Sequence, residues 1–335
     1  MKIFEAAGED SRRRGAWSWI LSALLAAVLL WWALRGVEWK RVAGIIGHAD
    51  WMLAAAAAAT SCFSLFLRGL RWRILLNAAG RFSVGTVFWA NSAGYLGNNL
   101  LPARAGEVIR SFLISSRSNL SRTYVLTTAL SERLMDVVAL VLWSSLLLVG
   151  VNPKPRWMED LARTLAVLAA AGGAAIAILP HTGRLLEKIL LRIPMPARVR
   201  GIALRLAEQV LSGMRAFHDW RRFAGFAGLT VLIWLSDAMG VMALGRALNL
   251  AIPFATAFLL LAGLGLGSAL PSTPGYVGIY QFVAVSVLTP FGFSRDSALA
   301  LILVLQAMGY AVILAFGLTG LYRLRGGKAG KAAHF

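Results

Sequence analysis

The sequence predicts an all-α integral membrane protein of about eight transmembrane helices, with two re-entrant broken elements arranged as an inverted repeat. Three observations carry that expectation. The 335-residue chain is 58% hydrophobic and only 15% charged, and its apolar residues gather in runs near the roughly 20 residues that cross a bilayer. Its net charge of +19 lies between those runs, which points to membrane topology rather than to nucleic acid. Two interrupted apolar segments also match one another along their length, with Gly94, Leu101, Pro102, Gly106 and Val108 answered by Gly263, Leu270, Pro271, Gly275 and Val277 at a constant offset of 169.

The elements follow in order. Residues 1–15 form a cytoplasmic N-terminus, and residues 16–322 form one transmembrane domain. The first span, 16–34, follows Arg12-Arg13-Arg14 and runs through Trp31-Trp32 into Arg35 without a small-x-small cleavage site, the pattern of an uncleaved anchor. A span at 51–67 ends at the basic stretch 68–73, where Arg68, Arg71 and Arg73 read as positive-inside anchors and Trp72 as an interfacial belt residue. Collection of anionic lipid is the other reading of those arginines. The interrupted segment 84–116 follows, then spans at 124–150, 161–179, 223–244, 254–290 (broken at 271–275) and 298–318. Pseudo-repeats of about 51–150 and 223–320 are joined by segment 181–222, which reads either as an amphipathic helix on the cytoplasmic leaflet or as a solvated basic loop. A basic cytoplasmic tail, 323–335, finishes the chain.

Counting charges tests the topology. With the N-terminus inside and 84–116 entering and leaving on one side, cytoplasmic segments hold 25 Lys and Arg and outer segments hold six. Both termini are therefore expected in the cytoplasm of a bacterial inner membrane. Three crossings separate the two broken elements, so the second enters from the opposite face.

Broken helices leave backbone groups that hydrocarbon does not tolerate unless they face protein or a wet cavity, and paired inverted breaks mark the binding site of many transporters. In 94–110 the break delivers Asn98, Asn99, Arg104, Glu107 and Arg110, and Pro102, Gly106, Pro271, Pro274, Gly275 and Gly278 shape the two breaks. Inside 124–150, Glu132, Arg133 and Asp136 stand where ionisable groups are costly. They read either as a structural ion pair or as a head-group or proton site, and their net negative charge calls for a partner such as Arg104 or Arg110. Asp237 could face the same cavity. Nothing supports a catalytic centre, a metal site or a cofactor: the four histidines lie outside the spans and the single cysteine, Cys62, has no partner in the chain.

At these positions the sequence resembles a known family. Arg71-Trp72, Asn98 with Leu101-Pro102, Arg104, Gly106-Glu107 and Arg110, Glu132-Arg133 with Asp136, and Pro274-Gly275 with Gly278 are similar to the membrane region of lysylphosphatidylglycerol synthase/flippase proteins. That family includes stand-alone flippase-like proteins, some associated with hopanoid biosynthesis. The resemblance implies a lipid flippase or transporter. It departs from the family in two respects. The chain stops at Phe335, where bifunctional members continue into an aminoacyltransferase domain, and Gln281 stands where many members carry glutamate.

The leading expectation is thus a lipid transporter that grips an anionic group with Arg104 and Arg110, while Glu107, Glu132 and Asp136 balance the charge. Truncating Glu132 or Arg104 is expected to abolish transport and spare expression. A non-transporting accessory protein that presents a hopanoid or polyprenyl lipid to a biosynthetic enzyme is the alternative, and a membrane-embedded transferase the third reading. Membrane lipids are the expected partners, with a lipid-biosynthetic enzyme as a second candidate, no nucleic acid, and an oligomer compatible with the sequence.

Overall fold

The computed structural model describes residues 23–101, 105–150, 219–268 and 274–325, with isolated positions between 159 and 204. The N-terminus, most of the expected segments 161–179 and 181–222, Pro102, Arg104, Pro271 and all but the start of the tail lie outside the described residues. What is described is helical, with no strand among those residues. Helix α1 (Ala23–Leu34) is followed by a short helix that the apolar runs did not announce, α2 (Trp39–Gly47).

Four helices then follow: α3 (Trp51–Leu76), α4 (Val84–Leu100), α5 (Gly106–Ser115) and α6 (Arg122–Gly150). The order repeats as α7 (Trp220–Ala247), α8 (Phe254–Gly267), α9 (Ile279–Leu288) and α10 (Arg295–Arg323). Lengths of 26, 17, 10 and 29 residues in the first set are answered by 28, 14, 10 and 29 in the second. In each set the ten-residue helix folds back on the helix before it. Across the sets, α10 packs on α4 and α6 packs on α8.

Helix starts are set locally. Asp50 caps α3 by accepting from the amides of Met52 and Leu53, Asp219 caps α7 in the same way, and Ser83 and Ser294 cap α4 and α10. Each cap satisfies amides that the first turn leaves unpaired. The two longest-packed helices, α3 and α7, run antiparallel: the amide of Asp50 donates to the carbonyl of Ala247 at 2.8 Å, and further along Ser236 donates to the carbonyl of Thr60.

Helix α3 corrects the sequence reading of 68–73. It does not end at Leu67 but continues to Leu76, so Arg68, Arg71 and Arg73 stand on a continuous helix. Arg71 and Trp72 are fully buried, and neither is an interfacial anchor. Helices α3, α7 and α10 are long and apolar enough to cross a bilayer, and α1, α8 and α9 are shorter apolar helices. At ten residues, α5 and α9 are too short to span one. The outer surface carries Phe63, Leu130, Leu142, Leu146, Leu232, Met239 and Leu318 exposed, while Arg71, Glu107, Arg110, Glu132 and Asp136 are buried. Apolar outside and charged inside is the arrangement that a hydrocarbon solvent imposes.

Candidate functional site

Helix α6 places Glu132 and Asp136 one turn apart, and α3 brings Arg71 against both. The Arg71 guanidinium donates to Glu132 at 2.8 Å and to Asp136 at 2.6 Å, with a further bond to the Thr230 hydroxyl on α7 at 3.1 Å. From the other side α5 contributes Arg110, which donates to Glu132 at 2.9 Å, to Asn91 at 2.8 Å and through its Nε to Glu107 at 2.6 Å. Its guanidinium lies 4.5 Å from the centroid of the Trp72 ring, whose N–H is held by Thr128. Glu132 is therefore the shared acceptor of two arginines from two helices.

The close seating of α5 depends on glycine. A Cβ on Gly106 would run into the carbonyl oxygen of Gly94 and the Asn98 amide, and one on Gly94 would press against the Arg110 side chain. Only hydrogen at both positions lets the two helices approach. In the second half, Gly275 (φ 76°) and Gly278 (φ 89°) turn the chain through left-handed conformations, and Tyr276 between them is held at φ 59°. A Cβ on Gly275 would also meet the Tyr310 hydroxyl.

Two more arginines line a cavity of about 280 Å³ between the halves. Arg133 donates to Glu107 at 2.9 Å and lies 5.1 Å from the Tyr95 ring centroid, and it approaches Asp136 only at 3.9 Å. Arg68 donates to Asp237 at 2.6 Å and to the Tyr95 hydroxyl at 3.4 Å. Among the described residues, Arg71, Arg110 and Arg133 meet Glu107, Glu132 and Asp136 in one ion-pair network, Arg68 and Asp237 form a separate pair that reaches it through Tyr95, and the formal charges cancel. Such a cluster holds together because each charge has partners. Removing one leaves a buried charge uncompensated, at a cost of about 3–5 kcal/mol.

The second half faces the cavity with amides and phenols instead. Gln281 accepts from the Gly278 amide at 2.8 Å and donates to Gln306 at 2.6 Å. Gln306 in turn donates to the Gly275 carbonyl at 3.0 Å and to Tyr310 at 3.1 Å. Beside the polar cavity runs an apolar one of about 270 Å³, walled by Leu96, Leu100, Val277 and Leu314. The two share Asn99, Tyr310 and Ile313.

The structure sorts the residues singled out in the sequence. Asn98, Asn99 and Arg133 line the cavity, with Asn98 donating to Glu107 at 3.2 Å. Glu107, Arg110, Glu132 and Asp136 form the buried layer behind it, and every donor group of Arg110 is already committed to protein acceptors. Gly106, Pro274, Gly275 and Gly278 sit at the breaks. The partner that Glu132 and Asp136 require is supplied by Arg110, as one expectation had it, and by Arg71, which the sequence reading had set aside as an anchor. Tyr95, Trp234, Gln306 and Tyr310 were not anticipated as site residues, and Arg68 only in the alternative reading of 68–73 as a collector of anionic lipid. An i, i+3 pair of arginines directly after an apolar run was the available signal, since Arg68 and Arg71 share a face if the helix continues.

A buried, charge-balanced cluster behind a cavity, within long apolar helices, defines a multi-pass membrane protein with an internal polar site. The chain belongs to the family described as the lysylphosphatidylglycerol synthase TM region, which matches residues 19–317. Among its relatives, Glycosyltransferase AglD of Haloferax volcanii is 28% identical over 86% of this chain, which spans only 51% of that protein's length. A UPF0104 membrane protein of Methanothermobacter thermautotrophicus is 24% identical over 92% of both chains. Another, from Pyrococcus horikoshii, is 22% identical over 84% of this chain and 88% of its own.

Proposed function

We propose that the protein carries a polar-headed lipid across the bacterial inner membrane, both termini facing the cytoplasm. The observation that carries this reading is the pairing of the two cavities. A polar chamber and an apolar groove share Asn99, Tyr310 and Ile313, so one amphiphile fits with its headgroup among polar side chains and its tail along Leu96, Leu100, Val277 and Leu314. Groove walls such as Leu100 and Leu314 are themselves exposed on the outer surface, which gives the tail a path to surrounding lipid.

In this reading the halves 51–150 and 223–320 form an inverted repeat of about eight crossings with two re-entrant elements. The recurring helix order, the offset of 169 and the antiparallel packing of the equivalent helices α3 and α7 support it. A two-fold axis that relates antiparallel equivalent helices lies in the membrane plane, the arrangement of many secondary transporters. The gripping role assigned to Arg110 passes to Arg68 and Arg133, which reach the cavity. Arg71, Arg110, Glu107, Glu132 and Asp136 hold the wall behind them.

A second reading follows from the relative named as a glycosyltransferase. A membrane region that only presents a lipid to a partner enzyme would bind lipid in the same chamber without translocating it. Reconstitution of the purified protein in liposomes separates the two: transfer of labelled lipid between leaflets above protein-free vesicles is expected. Lipid that copurifies but does not cross would replace the transport reading with the presenting one.

A further inference from the structure

The described arginines of the site are held in two different ways. Arg71 and Arg110, behind the cavity, each donate to two carboxylates: Arg71 to Glu132 at 2.8 Å and Asp136 at 2.6 Å, and Arg110 to Glu132 at 2.9 Å and Glu107 at 2.6 Å. Arg68 and Arg133 face the cavity. Among the described residues each donates to one carboxylate, Asp237 at 2.6 Å and Glu107 at 2.9 Å. Asp136 stands 3.9 Å from Arg133, beyond hydrogen-bond reach.

Beside both cavity arginines stands one aromatic ring. Tyr95, on α4, has its ring centroid 5.1 Å from the Arg133 guanidinium and 6.0 Å from that of Arg68, and its hydroxyl accepts from Arg68 at 3.4 Å. Both separations fall within the roughly 6 Å over which a ring face attracts a cation. Side chains from α3 and α6 thus converge on a ring of α4, and Tyr95 is what connects the Arg68–Asp237 pair to the larger network. Rings back the inner arginines as well, with Trp72 at 4.5 Å from Arg110. The difference is that Arg71 and Arg110 have a second carboxylate in addition. A carboxylate takes up N–H donors and neutralises the cation, whereas a ring face holds the cation through its quadrupole and uses no N–H. The guanidinium is a planar fork with its donors along the edge. A guanidinium held by its face keeps that edge for a ligand.

We infer that Tyr95 is the positioning residue of the chamber, holding Arg68 and Arg133 by their faces so that their N–H edges serve an anionic group of the bound lipid. The inference rests on the gripping role proposed for those two arginines, and it adds the residue that presents them together.

The test uses the full chain in nanodiscs and two lipids with matched acyl chains, phosphatidylglycerol and the uncharged monoglucosyl-diacylglycerol. Competition is read by native mass spectrometry as the ratio of the two bound lipids. A purely structural loss lowers both and leaves the ratio where it was. The unaltered protein is expected to prefer phosphatidylglycerol about ten-fold, and Tyr95→Leu to cut that preference about five- to ten-fold. Tyr95→Phe keeps the ring and is expected to stay within about two-fold of the unaltered protein. A ring-trifluorinated phenylalanine at the same position keeps the shape but drains negative charge from the ring face, and it is expected to fall about three-fold below Tyr95→Phe. That comparison decides the matter even if Tyr95→Leu misfolds. A preference that Arg133→Gln removes, but that the fluorinated ring and Tyr95→Leu leave intact, would overturn the inference and keep the gripping role. Equal binding of the two lipids by the unaltered protein would remove the gripping role, and the inference with it.

Discussion

Arg68 and Asp237 meet at 2.6 Å across the contact of α3 and α7, and the 169 positions between them equal the offset at which the broken segments repeat. In a molecule with two-fold related halves, equivalent residues touch only near the axis. In the inverted repeat proposed above, this pair would mark the place where the halves meet, beside the chamber that α3 and α7 both line. Among the described residues of the site, it is the one ion pair between a charge of residues 51–150 and a charge of residues 223–320.

Separating that pair should impair function more than exchanging it. Arg68→Asp and Asp237→Arg alone each set like charges against one another, whereas the double reversal restores attraction. A double-mutant cycle on unfolding is expected to show coupling of about 1–3 kcal/mol, with lipid transfer in liposomes recovering in the double variant. Additive effects of the two changes would show that the pair is incidental.

Glu132 should behave as a stability residue. It is buried between Arg71 and Arg110, so Glu132→Gln leaves two arginines short of a charge and is expected to cost about 3–5 kcal/mol. The expectation from sequence was loss of transport with normal expression. Burial changes it to a lowered yield and a lowered melting midpoint, measured in detergent. A variant that melts with the wild type and merely stops transporting would return Glu132 to a functional role.

The break before α5 should not accept a methyl group. Gly106→Ala places a Cβ against the Gly94 carbonyl and Asn98, and overpacking of this kind costs about 1–3 kcal/mol or more. Gly228→Ala on α7, where a Cβ meets nothing within 4 Å, should instead stabilise by about 0.5–1 kcal/mol. Thermal melts of the two variants side by side check the contrast.

The amide network of the second half should resist acid. Gln281→Glu keeps an acceptor for the Gly278 amide but removes the donor that Gln306 accepts at 2.6 Å, setting two oxygens together. A loss of about 1–3 kcal/mol is expected from one buried group left unsatisfied. Full stability in Gln281→Glu would show that Gln306 reorients without penalty.

Much of the architecture was legible. Proline and glycine announced both breaks: α4 ends at Leu100 before a helix that restarts at Gly106, and α8 ends at Gly267 before α9. The i, i+4 spacing of Glu132 and Asp136 announced one face of the cluster. What misled was hydropathy at 68–73, where three arginines in six residues looked like a helix end at the membrane surface. A local average registers charge but not compensation. Arg71 is tolerated inside because Glu132 and Asp136, more than 60 positions away, neutralise it, and nothing near it in sequence reports that.

The division between sequence and structure follows the range of the forces involved. Sequence alone determined that this is a helical membrane protein, where its apolar helices break, and that charges in 94–136 need partners. These follow from transfer of side chains into hydrocarbon and from backbone preferences, which act within a few residues. Only the tertiary structure decided which charge pairs with which, that the cluster balances, and which side chains are left facing the cavity. Those depend on contacts such as Arg71 with Glu132 and Arg68 with Asp237. Coulomb attraction and hydrogen bonding there act over a few ångströms between residues that the fold alone brings together.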